Sequence, residues 1–323
     1  MPGSPGTPPF RIMGALGKST TEVMLRAILA GSSAKAGSNV RAVSGVRAAS
    51  KVAIVLSAGT DDAGTPWNEI VAELGGSDTA VLTADDPAVF VERRSASATV
   101  VTFGLTASAD FRAESVDATL DGTSFILDTR GERRDVQLRI LGEHQVVNAL
   151  AALAAAESLG ISLRDAVAAL EELPVIGRWT MEALPAAGGI LIINDAISAT
   201  PQSTAAALKT LALTAVGGRR SVAVLGELDT REDDHLEAHD RIGRLVVRLN
   251  VHKLVVVGHG ARHIHNAAGL EGSWDGESVL VDSPQEAYDL LREELRTGDV
   301  VLVKSSGQAG LGSLGDRLAG GCS

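Results

Sequence analysis

Cysteine is almost absent from this 323-residue sequence, which holds only Cys322. One thiol excludes an intramolecular disulfide and any zinc site built on a cysteine cluster. Also missing is a run of about 18 apolar residues, the length a membrane-crossing helix needs. Cations are the minority: the formal net charge is −11. That argues against broad nucleic-acid binding and leaves room for a local basic pocket that takes phosphate. The Pro/Gly-rich residues 1–9 lack the basic and apolar regions of a secretion signal. They read as a disordered lead-in, and a cytoplasmic protein is expected. No internal repeat is visible. What is present is an ordinary globular balance, 45% hydrophobic and 21% charged, in a chain long enough for two domains.

The first chemically suggestive stretch is Gly14-Ala15-Leu16-Gly17-Lys18-Ser19-Thr20-Thr21. Glycines let backbone N–H groups close on phosphate oxygens, the lysine adds a point charge, and a hydroxyl can ligate Mg²⁺. Apolar residues at helical spacing follow, from Val23 to Leu29, so a bound phosphate would sit at a helix N-terminus. A full Walker A motif has glycine five residues before Gly17, where Ile12 stands. A glycine turn before an ordinary helix is the competing reading. Lys35, Arg41, Arg47 and Lys51 could face phosphates or form a solvated face.

Val52-Ala53-Ile54-Val55-Leu56 and Thr79-Ala80-Val81-Leu82-Thr83 read as strands buried on both faces. A helix is expected over 66–74, and another begins at Pro87 with Asp86 as its cap. Short alternating runs between 99 and 140, with Asp121-Gly122 and Arg130-Gly131 as turns, predict a small antiparallel sheet attached to the α/β part. Helices follow over about 143–158 and from Ser162-Leu163-Arg164-Asp165, a capping box. Gly177-Arg178 starts an inter-domain link. Beyond it, strands at 190–193, 221–225, 254–257, 279–281 and 300–303 alternate with helices at about 201–213, 235–249, 261–268, 284–295 and 309–319. This predicts a doubly wound, mostly parallel, Rossmann-like sheet.

Ligands bind beyond the carboxyl ends of such strands. Those ends carry Asn194-Asp195, Gly226-Glu227, Gly258-His259, Asp282 and Lys304-Ser305-Ser306. Asp282 reads as part of a helix cap, and Lys304, directly after four apolar strand residues, as an anion contact rather than a merely solvent-exposed lysine. His259, His263 and His265 could hold a metal, but no cysteine or suitably spaced acid supports it. His235 and His239 read as a solvated helix start among Asp233, Asp234, Glu237 and Asp240.

Several segments resemble the Mur ligases, which add amino acids to UDP-linked cell-wall precursors. Gly142-Glu143-His144 through Asn148-Ala149-Leu150-Ala151-Ala152 is similar to their Gly-x-His-x-x-x-Asn-Ala-x-Ala-Ala segment, and Leu82-Thr83-Ala84-Asp85-Asp86-Pro87 to their Leu-Asn-Ala-Asp-Asp-Pro. Gly177-Arg178 is similar to the motif that closes their central domain. Within the family, the stretch from Asn194 to Ser203, Val224-Leu225-Gly226-Glu227, His239-Asp240-Arg241-Ile242-Gly243 and Val303-Lys304-Ser305-Ser306 resemble the branch that attaches D-alanyl-D-alanine to UDP-MurNAc-tripeptide.

The resemblance implies an α/β fold: a trimmed P-loop-type central domain (10–178) carrying the small antiparallel sheet, then a Rossmann-like C-terminal domain (179–323). It implies ATP and Mg²⁺ as cofactors, and a UDP-linked peptide precursor and D-alanyl-D-alanine as partners. A precursor carboxylate would attack the γ-phosphate of ATP, and the dipeptide amine would then attack the activated carbonyl. Lys18 would be catalytic, holding the β/γ-phosphates. Gly14, Gly17, Ser19, Thr20, Asn148, Arg178 and Asp195 would contact the nucleotide, with Ser19 on Mg²⁺. Lys304 and Ser306 would face the amino-acid substrate.

The sequence also departs from the family. Family members carry an N-terminal domain that grips the UDP sugar, where about ten residues precede the loop in this sequence; Arg11 and Met13 replace the first Gly and the Thr of the family loop, and 30–50 is too short for a substrate-contacting Asn-Asn and a Mg²⁺-ligating Glu. A metal-side His segment has become Ser57-Ala58-Gly59-Thr60-Asp61-Asp62, Val71 stands where a modified lysine is expected, and Ile197-Ser198 and Thr200 replace Tyr-Asn and Asn. Impaired ligation is therefore expected. A non-catalytic paralogue that binds or scaffolds, and a ligase repurposed to another carboxylate and amine, are the alternatives.

Overall fold

The computed structural model describes residues 10–14, 16–35, 51–59, 64–92, 97–230, 234–272 and 274–320. The expectations for 1–9, Ala15, Arg41, Arg47, 60–62, Asp233 and Cys322 lie outside them.

The chain divides into two compact units. One takes in the described residues up to Asp117, with Thr123–Arg139 and Glu143–Pro174. The other takes in Ala118–Gly122, Ile140–Gly142 and the described residues from Val175 on.

The first unit is built on one seven-stranded sheet in simple chain order: β1 (Phe10–Met13), β2 (Val52–Val55), β3 (Thr79–Thr83), β4 (Thr99–Gly104), β5 (Phe111–Thr119), β6 (Gly122–Thr129) and β7 (Glu132–Leu138). Strands β1 to β4 are parallel, and every residue of β2 and β3 is buried, as continuous apolar strands require when both faces are covered. The covers include α1 (Lys18–Lys35), α2 (Trp67–Ala72), α3 (Pro87–Glu92), α4 (His144–Ser158) and α5 (Leu163–Glu171). The Ala-rich α4 is buried almost throughout, as expected of a helix that is apolar all round. Met24, Leu25 and Ile28 of α1 are fully buried, and the helix packs on α4 and α5. Ser162 caps α5 by accepting the Asp165 N–H at 3.2 Å, as its capping box predicts.

The expected small antiparallel sheet is not a separate piece. The run 100–103 belongs to β4, a parallel strand beside β3, and β5 continues the same sheet in parallel through Phe103 opposite Phe111. Thr102 made this run read as alternating. Its N–H and hydroxyl both bond to Asp110, at 2.8 and 2.7 Å, so a polar residue is buried without cost to the sheet. The hairpin of β6 and β7 is antiparallel, and both turn residues, Arg130 and Gly131, have positive φ, as a type I′ turn demands.

The second unit carries a six-stranded sheet in the order β12-β11-β10-β13-β9-β8. The parallel strands are β9 (Leu191–Asp195), β10 (Ser221–Leu225), β11 (Lys253–Val257), β12 (Glu277–Val281) and β13 (Val300–Lys304). They alternate with α6 (Pro201–Thr214), α7 (His235–Arg248), α8 (Arg262–Gly269) and α9 (Pro284–Glu294), and α10 (Gly312–Leu318) closes the unit. Alternate strand residues face two cores. Ala223, Leu225, Leu254, Val256 and Leu302 pack with residues of α6, α7 and α8. Val222, Val224, Val255, Val301 and Val303 pack with residues of α9 and α10. This is the doubly wound arrangement that the strand–helix alternation predicts. The extra edge strand β8 (Glu182–Pro185), antiparallel to β9, has no counterpart in the sequence reading. It is half-exposed and ends in proline, so it carries neither an apolar run nor clean alternation.

Candidate functional site

In the first unit β1 runs into the glycine loop, and α1 starts at Lys18. Its first helical bond is donated by the Thr21 N–H to the Gly17 carbonyl at 2.8 Å. Gly14 has φ +134°, and a Cβ there would lie 3.0 Å from Leu56 Cβ. Gly17 has φ +80°, and a Cβ would lie 2.1 Å from Oδ1 of Asn148. Asn148, on α4, is therefore brought against the loop. Its Oδ1 accepts from the Thr21 hydroxyl at 3.5 Å, and its Nδ2 donates to Gln145 Oε1 at 3.0 Å. The loop hydroxyls divide: Ser19 is exposed, Thr20 and Thr21 are buried, and Lys18 is half-buried. Asn148 thus meets the loop at Gly17 and Thr21, beside the start of α1, while Gly14 packs against Leu56 and Ser57.

The neighbouring acids have structural tasks. Asp86 accepts the N–H groups of Ala88 and Ala58, at 3.0 and 2.8 Å, which caps α3 and holds the loop after β2. Asp85 accepts from the N–H groups of Leu105 and Thr106. Val71 is 5% exposed and sits in an apolar cluster with Met13, Trp67, Ile70 and Leu74.

In the second unit the carboxyl ends of the strands converge as the topology predicts. Lys304 is in register with Asp195 on one side and Leu225 on the other. Its ammonium donates to Asp195 Oδ2 at 2.6 Å, to the Ser198 carbonyl at 2.7 Å and to the Asp195 carbonyl at 3.3 Å. Burial pushes the Asp195 carboxyl above its ordinary value, against the lowering by the Lys304 ammonium and the Met181 N–H. Lys304, expected to face substrate, is 2% exposed and turned onto the protein. Ser306 is also buried, and its N–H donates to the Glu227 carbonyl at 2.9 Å.

Arg178 is 72% exposed and pairs with Asp316 of α10 at 2.6 Å. The same carboxylate accepts from Trp179 Nε1 at 3.0 Å and from Asn194 Nδ2 at 3.1 Å. Asp229 accepts from the Ala199 N–H at 2.7 Å and the Ser198 hydroxyl at 3.1 Å. Neither Asp316 nor Asp229 stood out in the sequence. Their partners lie 30 to 138 positions away, and no local pattern signals such pairing.

His239 corrects the reading of 235–240 as a solvated helix start, because it is fully buried. Its Nδ1 lies 2.7 Å from the His235 carbonyl, and its Nε2 accepts the Leu228 N–H at 3.2 Å. The three histidines read as possible metal ligands have separate partners: His265 bonds to Ser278, while His259 and His263 lie near Asp282 and Asp240. Among the described residues no group of three His, Cys, Asp or Glu side chains is placed to hold a metal. No described helix is long and apolar enough to cross a membrane.

Fold and site together define a phosphate-loop α/β domain followed by a doubly wound α/β domain. The chain belongs to the Mur ligase family: residues 66–156 match the Mur ligase middle domain, and residues 177–307 the Mur ligase glutamate ligase domain. It is 39% identical over 293 residues to the UDP-N-acetylmuramoyl-tripeptide--D-alanyl-D-alanine ligase of Mycobacterium tuberculosis, a match covering 83% of this chain and 58% of that protein. The ligase of the same name from Mycobacterium leprae is 43% identical over 212 residues, covering 61% and 41%. The chain thus spans little more than half the length of these relatives. In fold it is similar to MurF from Acinetobacter baumannii, with a TM-score of 0.78 at 22% identity, over 97% of this chain and 77% of that one. MurF ligase from Thermotoga maritima, solved in complex with ADP, gives 0.75 at 17% identity, over 96% and 79%.

Proposed function

We propose that this chain is the nucleotide-handling and amine-handling part of an ATP-dependent ligase that joins D-alanyl-D-alanine to UDP-MurNAc-tripeptide, acting in the cytoplasm. Residues 10–178 form its central ATP-binding domain and 179–323 its C-terminal domain. One observation supports the reading: Asn148 lies against Gly17 of the glycine loop, in a chain 39% identical to a ligase of that name. Gly14, Gly17, Lys18, Ser19 and Asn148 would hold the nucleotide phosphates, and the Ser19 hydroxyl would hold Mg²⁺, which would supply neutralisation of phosphate charge. Arg178, exposed, remains a nucleotide contact in this reading, while the Asp195 carboxyl, assigned the same role by the resemblance, is already engaged by Lys304. ATP supplies the activation of the precursor carboxylate. The protein's own part is to hold the reactants in place and to set positive charge against the phosphates.

A second reading, a binding module without ligation, is favoured by Val71. Its apolar surroundings leave no place for the charged group the family carries there.

The test is phosphate release by the purified chain given ATP, Mg²⁺, UDP-MurNAc-tripeptide and D-alanyl-D-alanine. Release that depends on the dipeptide and disappears in Lys18→Ala supports ligation. ATP binding without release supports the second reading. Absence of ATP binding removes the loop from the site.

A further inference from the structure

An ammonium group has three protons to donate. Those of Lys304 have three acceptors within 3.3 Å, all from the turn that leaves β9: Asp195 Oδ2, the Asp195 carbonyl and the Ser198 carbonyl. The lysine is 2% exposed, so water does not compete for these bonds. The other side of the same turn is held by Asp229, through the Ala199 N–H and the Ser198 hydroxyl. Between these two anchors Ile197 is 52% exposed and Ser198 is exposed, both at the carboxyl edge of the sheet.

We propose that Lys304 is a positioning residue: its ammonium is a buried peg that sets the 195–198 turn and does not itself meet a ligand at this edge. A buried lysine engaged by three acceptors has no proton left for an incoming carboxylate. Reaching one would mean giving up the Asp195 pair and stranding that carboxylate in a buried site, which is strongly unfavourable. The kinetic consequence rests on the ligase reading; the placement of the ammonium does not.

The experiment uses the full chain with its lysine side-chain nitrogens labelled with ¹⁵N, read by the ammonium proton–nitrogen correlation spectrum. Lys304→Arg assigns the Lys304 signal by its loss. Lys304 protons are expected to exchange slowly with water, and the signal to stay in place when Mg-ATP and D-alanyl-D-alanine are added to saturation. Fast exchange, or a ligand-induced shift larger than that of the buried Lys253, would overturn the proposal. The Lys18 signal reports separately on the ligase reading. If it fails to move with Mg-ATP, that reading is lost, and the exchange rate of Lys304 still decides this one.

In Lys304→Met, hydrogen exchange of the 195–199 amides is expected to accelerate at least tenfold, while exchange in β10 and β11 is unchanged. Where ligation is measurable, KM for the dipeptide rises more than kcat falls, a split that general destabilisation would not produce. Unchanged exchange at 195–199 overturns the proposal. If Lys304→Met does not fold, the wild-type spectrum alone decides.

Discussion

Gly17 and Asn148 lie so close that a Cβ on the glycine would sit 2.1 Å from the asparagine Oδ1. Gly17 also has φ +80°, a conformation that costs any other residue. Gly17→Ala should therefore lower stability by about 1–3 kcal/mol, the usual range for overpacking. Because the two residues touch, the cost should be partly recovered in the double variant with Asn148→Ala. Urea unfolding of both single variants and the double variant measures this. Strict additivity would show that the loop and α4 are not in contact.

Gly243 poses a contest between two effects. Alanine stabilises a helix interior by up to about 1 kcal/mol relative to glycine. Here, though, a Cβ would lie 2.4 Å from the Ile264 carbonyl oxygen and 2.9 Å from Ala267 Cβ, where α7 meets α8. A backbone carbonyl cannot move aside as a flexible side chain can, so overpacking wins. Gly243→Ala should lower the urea midpoint. A raised midpoint would mean that the helices separate easily.

The buried imidazole of His239 should make stability depend on pH. Burial lowers its pKa most strongly. The His235 carbonyl raises it, His235 and His263 lower it through charge, and Glu227 raises it. Nε2 accepts a backbone N–H, so protonating it breaks the bond to Leu228. Below about pH 6.5, the ordinary histidine value, the unfolded chain binds a proton that the folded chain refuses. The contribution is thus fully present above that pH and is lost as the pH falls through the lowered folded-state value. Unfolding between pH 5 and 8 should show stability rising with pH and then levelling. In His239→Gln, which can replace both bonds without titrating, the slope should be shallower. An equal slope would assign the effect to other groups.

Asp316 gathers donors from Arg178, Trp179 and Asn194, and they do not contribute equally. Arg178 is 72% exposed, so its ion pair is worth little in water. Asn194 is fully buried, and its amide loses a partner when the carboxylate goes. Asp316→Ala should cost about 1–3 kcal/mol. Arg178→Ala should stay within about 0.5 kcal/mol. Thermal melts of the two variants decide the ranking, and similar losses in both would refute it.

Much of this architecture was legible in residue order. Fully buried parallel strands announce themselves as unbroken apolar runs, which is why β2, β3, β10 and β13 fall where their residues suggest. Caps are local as well: Ser162 accepts the N–H three residues on, as its capping box predicts, and Asp86 accepts the Ala88 N–H at the start of α3. β4 and β8 were harder. In β4 the polar Thr102 is satisfied by Asp110 across a loop, and β8 is a half-exposed edge, so burial left no clean period in either.

The sequence by itself determined the family, the strand–helix alternation and a glycine turn leading into α1, because these rest on neighbours a few residues apart. Only the tertiary structure decided what the polar groups do. Lys304 is spent on the turn after β9, His239 is buried and tied to Leu228, and Asn148 meets Gly17 across 131 positions of chain. A side chain's role depends on which acceptors and donors surround it once water is excluded. Those partners come from distant segments that residue order alone does not bring together.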